Sequence, residues 1–109
     1  MARDEGLEEL LREDLAAETG LSEKSMFGGR AWLVHGNLVC GARDDGMLVR
    51  LGKGNDGWAL GLADVKPMMM QGKRMEGWVR AGAAAFGDDE VRARLLAGAL
   101  KFVKGLQGK

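Results

Sequence analysis

The segment Gly52-Lys53-Gly54-Asn55-Asp56-Gly57 has the spacing G-x-G-x-x-G. In a dinucleotide-binding fold the first glycine makes a tight turn and the second lets the backbone approach a pyrophosphate. The third packs the following helix, and an acidic residue about twenty positions on takes the ribose. Glu76 stands at about that distance. The motif carries this chemistry only between a parallel strand and a full helix. Here the preceding strands are joined by turns too short for a parallel crossover, and Gly61 interrupts the short helical stretch after the loop. The segment therefore reads as a polar surface loop, at most a nest of backbone amides for a small anion.

His35 and Cys40 are the one pair of residue types suited to nucleophilic catalysis. Gly36-Asn37 is expected to turn a hairpin, which sets His35 opposite Leu38 and Cys40 opposite Leu33. The two side chains then share a sheet face, but diagonally, with about 7–8 Å between backbones. No third residue is placed to orient the imidazole, so a buried structural thiol and a hairpin-end histidine are expected. One histidine and one cysteine cannot form a structural zinc site within a monomer without carboxylates. No catalytic, cofactor or metal residues are assigned.

Arg30, Arg50, Lys73, Arg74 and Arg80 fall at strand ends or turns. Brought together they would hold a phosphate or carboxylate; scattered and individually solvated charges are the default. The run Met68-Met69-Met70, with Met26, Met47 and Met75, suits an irregular core or an adaptable surface. Strand alternation turns at least one of the three outward, and Met69 is taken as the contact residue. Trp58, in a polar loop, is the aromatic contact candidate, whereas Trp78 beside Gly77 is expected to pack under a helix. Asp44-Asp45 and Asp88-Asp89-Glu90 read as a turn and a helix start.

Periodicity predicts the scaffold around these residues. Leu7, Leu10, Leu11 and Leu15 make a helical stripe, begun by Asp4 and closed by Gly20, with Glu8, Glu9, Arg12 and Glu13 in water. Strands are expected over 24–27, 30–35, 38–42 and 47–51, punctuated by Gly28-Gly29, Gly36-Asn37 and Arg43-Asp44-Asp45-Gly46. A short helix over 58–63 ends before Pro67. Strands over 68–71 and 77–81 come next, joined at Gly72-Lys73-Arg74. Asp88 starts a long final helix whose Val91, Leu95, Leu96, Ala99, Phe102, Val103 and Leu106 face the core. Its Arg92, Arg94, Lys101 and Lys104 are expected in solvent. The fold class is α+β: an antiparallel β-sheet meander flanked by an N-terminal and a long C-terminal helix, with a short helix inserted mid-chain. The 109 residues are read as one domain.

Hydrophobic residues make up 46% of the chain, enough for a core, and a lone cysteine rules out an internal disulfide. No apolar run approaches the roughly 18 residues of a membrane helix, and no secretory signal is visible, so a cytoplasmic protein is expected. Sixteen basic and sixteen acidic residues cancel. That balance disfavours direct nucleic-acid binding, which draws its affinity from phosphate neutralisation. Eighteen glycines against one proline point to many turns and bulges.

Met26-Phe27-Gly28-Gly29, then Gly36-Asn37, Met47-Leu48-Val49-Arg50, Pro67-Met68 and Gly72-Lys73-Arg74-Met75-Glu76-Gly77-Trp78-Val79, together resemble the N-terminal domain of the TfoX/Sxy family. The likeness runs from about Asp4 to about Leu106. It implies an α+β domain with an antiparallel sheet, often dimeric. It implies structural roles for Met26, Phe27, Gly28, Gly29, Gly77 and Trp78, and supplies no catalytic residues. Larger members regulate competence for DNA uptake with other transcription regulators and carry a second, helical C-terminal domain, which is not expected in this chain. The function expected is a non-enzymatic regulatory or interaction module, a homodimer, with the transcription machinery as the partner the resemblance implies. The alternative is a small-ligand or nucleic-acid-binding protein using an arginine cluster and the Gly52–Gly57 loop.

Overall fold

In the computed structural model, which describes residues 4–26 and 28–106, two reversals hold consecutive residues at positive φ: His35-Gly36 (51° and 82°) and Gln71-Gly72 (51° and 80°). Such turns match the twist of antiparallel strands, and glycine lowers their cost at the second position. The elements are α1 (Glu5–Leu15), β1 (Leu21–Met26), β2 (Gly29–Val34), β3 (Asn37–Arg43), β4 (Gly46–Arg50) and α2 (Gly57–Leu60). They continue with β5 (Val65–Met70), β6 (Lys73–Ala81), α3 (Ala83–Phe86) and α4 (Asp89–Lys104). The strands form one sheet, β1-β2-β3-β4-β6-β5, and every neighbouring pair is antiparallel. The first four meander. The connection through α2 then carries β5 to the far edge, and β6 returns between β5 and β4.

Several boundaries differ from those expected. The hairpin turn is His35-Gly36, not Gly36-Asn37, because Asn37 already pairs with Val34. The later reversal is Gln71-Gly72, so Lys73 and Arg74 belong to β6, opposite Met70 and Met69. Pro67 does not end a helix; it lies within β5, an edge strand, where a missing N–H leaves no ladder bond unmade. α1 stops at Leu15, and Gly20 (φ +77°) instead turns the chain into β1.

Register decides which side chains meet the helices. Trp32 pairs with Cys40, Cys40 with Val49 and Val49 with Val79, a row across four strands. Ala42, Met47 and Ala81 form the next row. Leu7, Leu11 and Leu15 of α1 and Leu95, Leu96, Ala99 and Val103 of α4 close over these rows as the main core. Asp4 Oδ1 accepts the Leu7 N–H at 3.0 Å. Asp88 Oδ1 accepts those of Glu90 and Val91 at 3.0 and 3.2 Å. Both helices therefore start on satisfied donors.

Two charged residues expected in water are buried. Glu8 lies beside Leu7 and Leu11, and Arg92 is 6% exposed. Arg92 stands at i, i+3, i+4 and i+7 with Leu95, Leu96 and Ala99, so it is on the apolar stripe of α4. Its Nε donates to Asp14 at 2.6 Å and its Nη1 to the Phe86 carbonyl at 2.9 Å, tying α4 to α1 and α3.

Between Pro67↔Val79 and Met69↔Arg74 the chain takes two steps on β5 but five on β6. Gly77 sits in this bulge at φ +85°. Its carbonyl accepts the N–H groups of Leu51 (2.7 Å) and Gly52 (3.0 Å). A Cβ on Gly77 would stand 2.6 Å from both Gly52 C and Lys53 N. We expect Gly77→Ala to cost about 3 kcal/mol, combining a left-handed penalty of about 1–2 kcal/mol with overpacking of about 1–3 kcal/mol. Gly54→Ala, at φ +86° with nothing near its Cβ, should cost only the first, about 1–2 kcal/mol. Urea unfolding of both variants measures this; equal losses would refute the tight approach at Gly77.

Candidate functional site

The glycine loop owes its glycines to backbone packing. Gly52 (φ +97°) lies under the Phe102 ring, which any Cβ there would overlap. Gly54 needs its positive φ, and Gly57 opens α2, a helix of four residues. With an antiparallel sheet and no full helix after the loop, no Rossmann crevice exists here. Glu76 pairs with Lys53 at 3.5 Å. The loop nevertheless forms one wall of a cleft of about 670 Å³, whose other wall is the C-terminal half of α4. Trp58, Lys101 and Phe102 line it, over a floor at Leu51. Gly98 lets the walls close: a Cβ there would meet Leu51 Cδ2 at 3.0 Å and Trp58 Cζ2 at 3.3 Å.

The second concave region is on the face of the sheet away from α1 and α4. Ala31, Leu33, Leu48 and Met68 are buried outside the main core. Lys24 and Met26 from β1 and Met68, Met75 and Trp78 from β5 and β6 line a single cleft of about 450 Å³ with Leu33, Leu38 and Arg50. Strands at opposite edges of a six-stranded sheet share a cleft only if the sheet curls round it. An adjoining cleft of about 300 Å³ shares Met68 and adds Arg43, Asp45, Lys66, Met69 and Arg80. Among the described residues the two clefts hold five basic side chains and one carboxylate.

Trp78 therefore does not pack under a helix. It pairs with Arg50, one position out of phase with the Val49–Val79 pair that meets the helices. Met69, 53% exposed, and Trp58, 42% exposed, are the large apolar side chains most open to solvent among the described residues. They lie in different clefts.

The basic residues do not gather into one patch. Arg30 stands 3.4 Å from Glu23, which also receives Arg12 at 2.9 Å. The Arg12 hydrogen bond, with its charge, holds the Glu23 carboxyl below its ordinary range. Arg74 pairs with Asp56 at 3.3 Å, and Lys73 is exposed at the start of β6. Arg50 lies 5.3 Å over the Phe102 ring and donates to the Leu38 carbonyl at 3.4 Å. Arg80 donates to the Asp45 carbonyl at 2.8 Å. Of the motif residues, Met26 lines the helix-free cleft and Gly28 turns at φ +76°. Gly29 lies against the Ala42 carbonyl, and Phe27 is outside the described residues.

Lys24, Leu33, Leu38 and Phe102 are site residues that sequence reasoning missed, while Met68 and Met75, read there as core or adaptable surface, line the helix-free cleft. A signal for the sheet face was present. Ala31-Trp32-Leu33-Val34, Leu38-Val39-Cys40 and Met47-Leu48-Val49 are unbroken apolar runs, and unbroken runs mark strands covered on both faces.

Cys40 and His35 do not meet as a pair. A bulge at Trp32/Leu33 places Cys40 opposite Trp32 rather than Leu33, while Leu33 pairs with Leu38. His35 occupies the turn, exposed, with its ring against Gly20. Cys40 is wholly buried, and burial, with the charge of Asp14 adding, pushes its thiol up from its ordinary 9.0. Above about pH 9 the unfolded chain loses a proton that the folded chain keeps, so stability falls as pH rises. The slope approaches about 1.4 kcal/mol per pH unit. Unfolding measured at pH 8 and pH 10 should show wild type losing about 1.4 kcal/mol more than Cys40→Ala over that interval. Parallel losses would overturn the assignment.

Among the described residues no helix is long and apolar enough to cross a membrane. No three His, Cys, Asp or Glu side chains are placed to hold a metal ion there. No curated protein and no solved structure shows significant similarity to the chain. A protein-family model, the TfoX N-terminal domain, matches residues 13–103. That span holds all six strands, both clefts' walls up to Val103 and the Gly77 bulge. The chain belongs to the TfoX N-terminal domain family.

Proposed function

We propose that this chain is a non-enzymatic, cytoplasmic regulatory module that works by protein contact, and that its docking surface is the helix-free face of the sheet. The observation that carries this reading is burial on both faces of β2–β4 while the helices lie on only one. The partner is an amphipathic helix with an acidic rim. Methionine and leucine side chains make an adaptable apolar floor; Arg43 is paired with Asp45, and Lys24, Arg50, Lys66 and Arg80 add four cations with no further carboxylate among the described lining residues. A single-stranded nucleic acid would call for stacked aromatic platforms; among the described residues Trp78 is the one aromatic side chain in these clefts. The buried Cys40 and the exposed turn position of His35 support a module without nucleophilic chemistry.

The homodimer implied by the family resemblance belongs to the same proposal but uses another surface. A symmetric pair built on the helix-free face would set its cations against their own copies. The transcription machinery remains the partner class that resemblance implies.

A synthetic 18-residue peptide with leucine at i, i+3, i+4 and i+7 and glutamate elsewhere is the probe for docking. Calorimetry should show micromolar binding that weakens with salt and falls at least tenfold in Met75→Glu and Lys24→Glu. A mixed-sequence single-stranded oligonucleotide should give no saturable heat. Peptide binding that both variants leave intact, or oligonucleotide binding in its place, would refute protein docking on this face. Light scattering should return twice the chain mass; a monomer at high concentration removes the dimer and leaves the docking test untouched.

A further inference from the structure

The cleft between the glycine loop and α4 lies on the helix side of the sheet and plays no part in the docking surface. Trp58 is 42% exposed there, an unusual position for a residue whose large apolar body gains most from burial. Its ring packs closely on Gly98, where an added Cβ would stand 3.3 Å from Cζ2. The Arg94 guanidinium stands 5.3 Å from its centroid. Phe102 is held in the same way, over Gly52 and 5.3 Å from the Arg50 guanidinium. Two aromatic rings are thus fixed at the edges of one cavity, each with a cation against it.

Among the described residues the lining adds a third cation, Lys101, and no carboxylate. Much of the remaining wall is bare backbone at Gly54, Gly57, Gly98 and Gly105. At Gly54 and Gly57 an added Cβ would meet nothing within 4 Å. A volume of about 670 Å³ is within the range of small-molecule sites.

We infer that this cleft is a binding site for a small planar aromatic anion, its ring lying against Trp58 and Phe102 and its carboxylate or phosphate held by Lys101. Aromatic surface selects the flat apolar body, and Lys101, with no carboxylate among the described lining residues, selects the charge. A neutral compound of the same shape forfeits the second contribution, and a cationic one is repelled.

The test uses the whole chain and four probes: indole-3-acetate, its neutral isostere indole-3-acetamide, tryptamine and 5′-AMP. The indole N–H resonance of Trp58, assigned by Trp58→Phe, reports occupancy. Indole-3-acetate should shift it saturably and bind at least tenfold more tightly than the amide, with tryptamine weaker still. Lys101→Glu, at an exposed position, should lose tenfold or more, and Lys101→Arg should retain binding. Gly57→Leu should abolish binding with its thermal midpoint unchanged. Saturable binding of 5′-AMP through the same residues would identify phosphate as the head group, and binding of the carboxylate alone would identify carboxylate. Equal affinity for acid and amide, binding that survives Gly57→Leu or Lys101→Glu, or no saturable shift with either anion would overturn the site.

Discussion

A single backbone carbonyl organises both sides of this domain. Gly77 accepts two successive N–H groups, from Leu51 and Gly52, at the point where β4 ends and the glycine loop begins. Each bond contributes about 0.5–1.5 kcal/mol net, but left unmade it would strand two donors where Leu51 and Gly52 are buried. The approach demands glycine at both ends, since Gly52 and Gly77 each lie at positive φ with no space for a side chain. On the helix side this fixes Gly52 beneath Phe102 and opens the loop as a cleft wall. On the other side the bulge around Gly77 puts Met75 and Trp78 into the curled face. Gly77-Trp78 is thus a structural motif whose effect is the shape of two surfaces.

The curled face poses an energetic question that the helix face does not. α1 and α4 close the main core, while Met26, Leu38, Met75 and Trp78 are left half-buried over Leu33, Leu48 and Met68. Complete burial of a large apolar side chain is worth roughly 1.5–3 kcal/mol, so finishing a half-buried one returns about 1 kcal/mol. Four such residues supply about 4 kcal/mol before charges. Association entropy consumes a comparable amount or more. Apolar contact alone therefore gives weak binding, and the surrounding cations must decide both affinity and partner. This is why the charge of the occupant, rather than its hydrophobicity, discriminates between candidates for this face.

The turns and caps were readable because they depend on neighbours in sequence. Asp4 and Asp88 start their helices, and Gly36 and Gly72 turn their hairpins, through interactions within a few residues. What escaped the sequence depends on partners far along the chain. Arg92 looks like a solvated charge until Asp14, 78 positions away, is brought to it. Trp78 looks like a core residue until pairing with Arg50 sets its phase. The His35-Gly36 turn differs from a Gly36-Asn37 turn by one residue, a choice made by the Val34↔Asn37 pair and the bulge at Trp32/Leu33. Spacing alone puts Phe102 on the apolar face of α4, but only Gly52 beneath it and Arg50 beside it make it part of a cleft. Pairwise charge neutralisation likewise cannot be seen in spacing, so Arg30 and Arg74 resembled members of a patch that Glu23 and Asp56 dissolve.

Arg50 touches both surfaces. It lines the curled face, donates to the Leu38 carbonyl and lies over Phe102, which borders the opposite cleft. Any thermodynamic coupling between the two surfaces through this residue is bounded by what it can exchange. A partly exposed cation–π contact is worth about 0.5–1 kcal/mol. A ligand that displaced the guanidinium from the ring could therefore change affinity on the curled face by no more than about fivefold. The same limit holds in reverse, because linkage is reciprocal. With a connection this weak, the two surfaces behave as nearly independent sites sharing one rigid frame. A larger coupling would require the frame to move, and the double acceptance at Gly77 is the contact that such a movement would have to break.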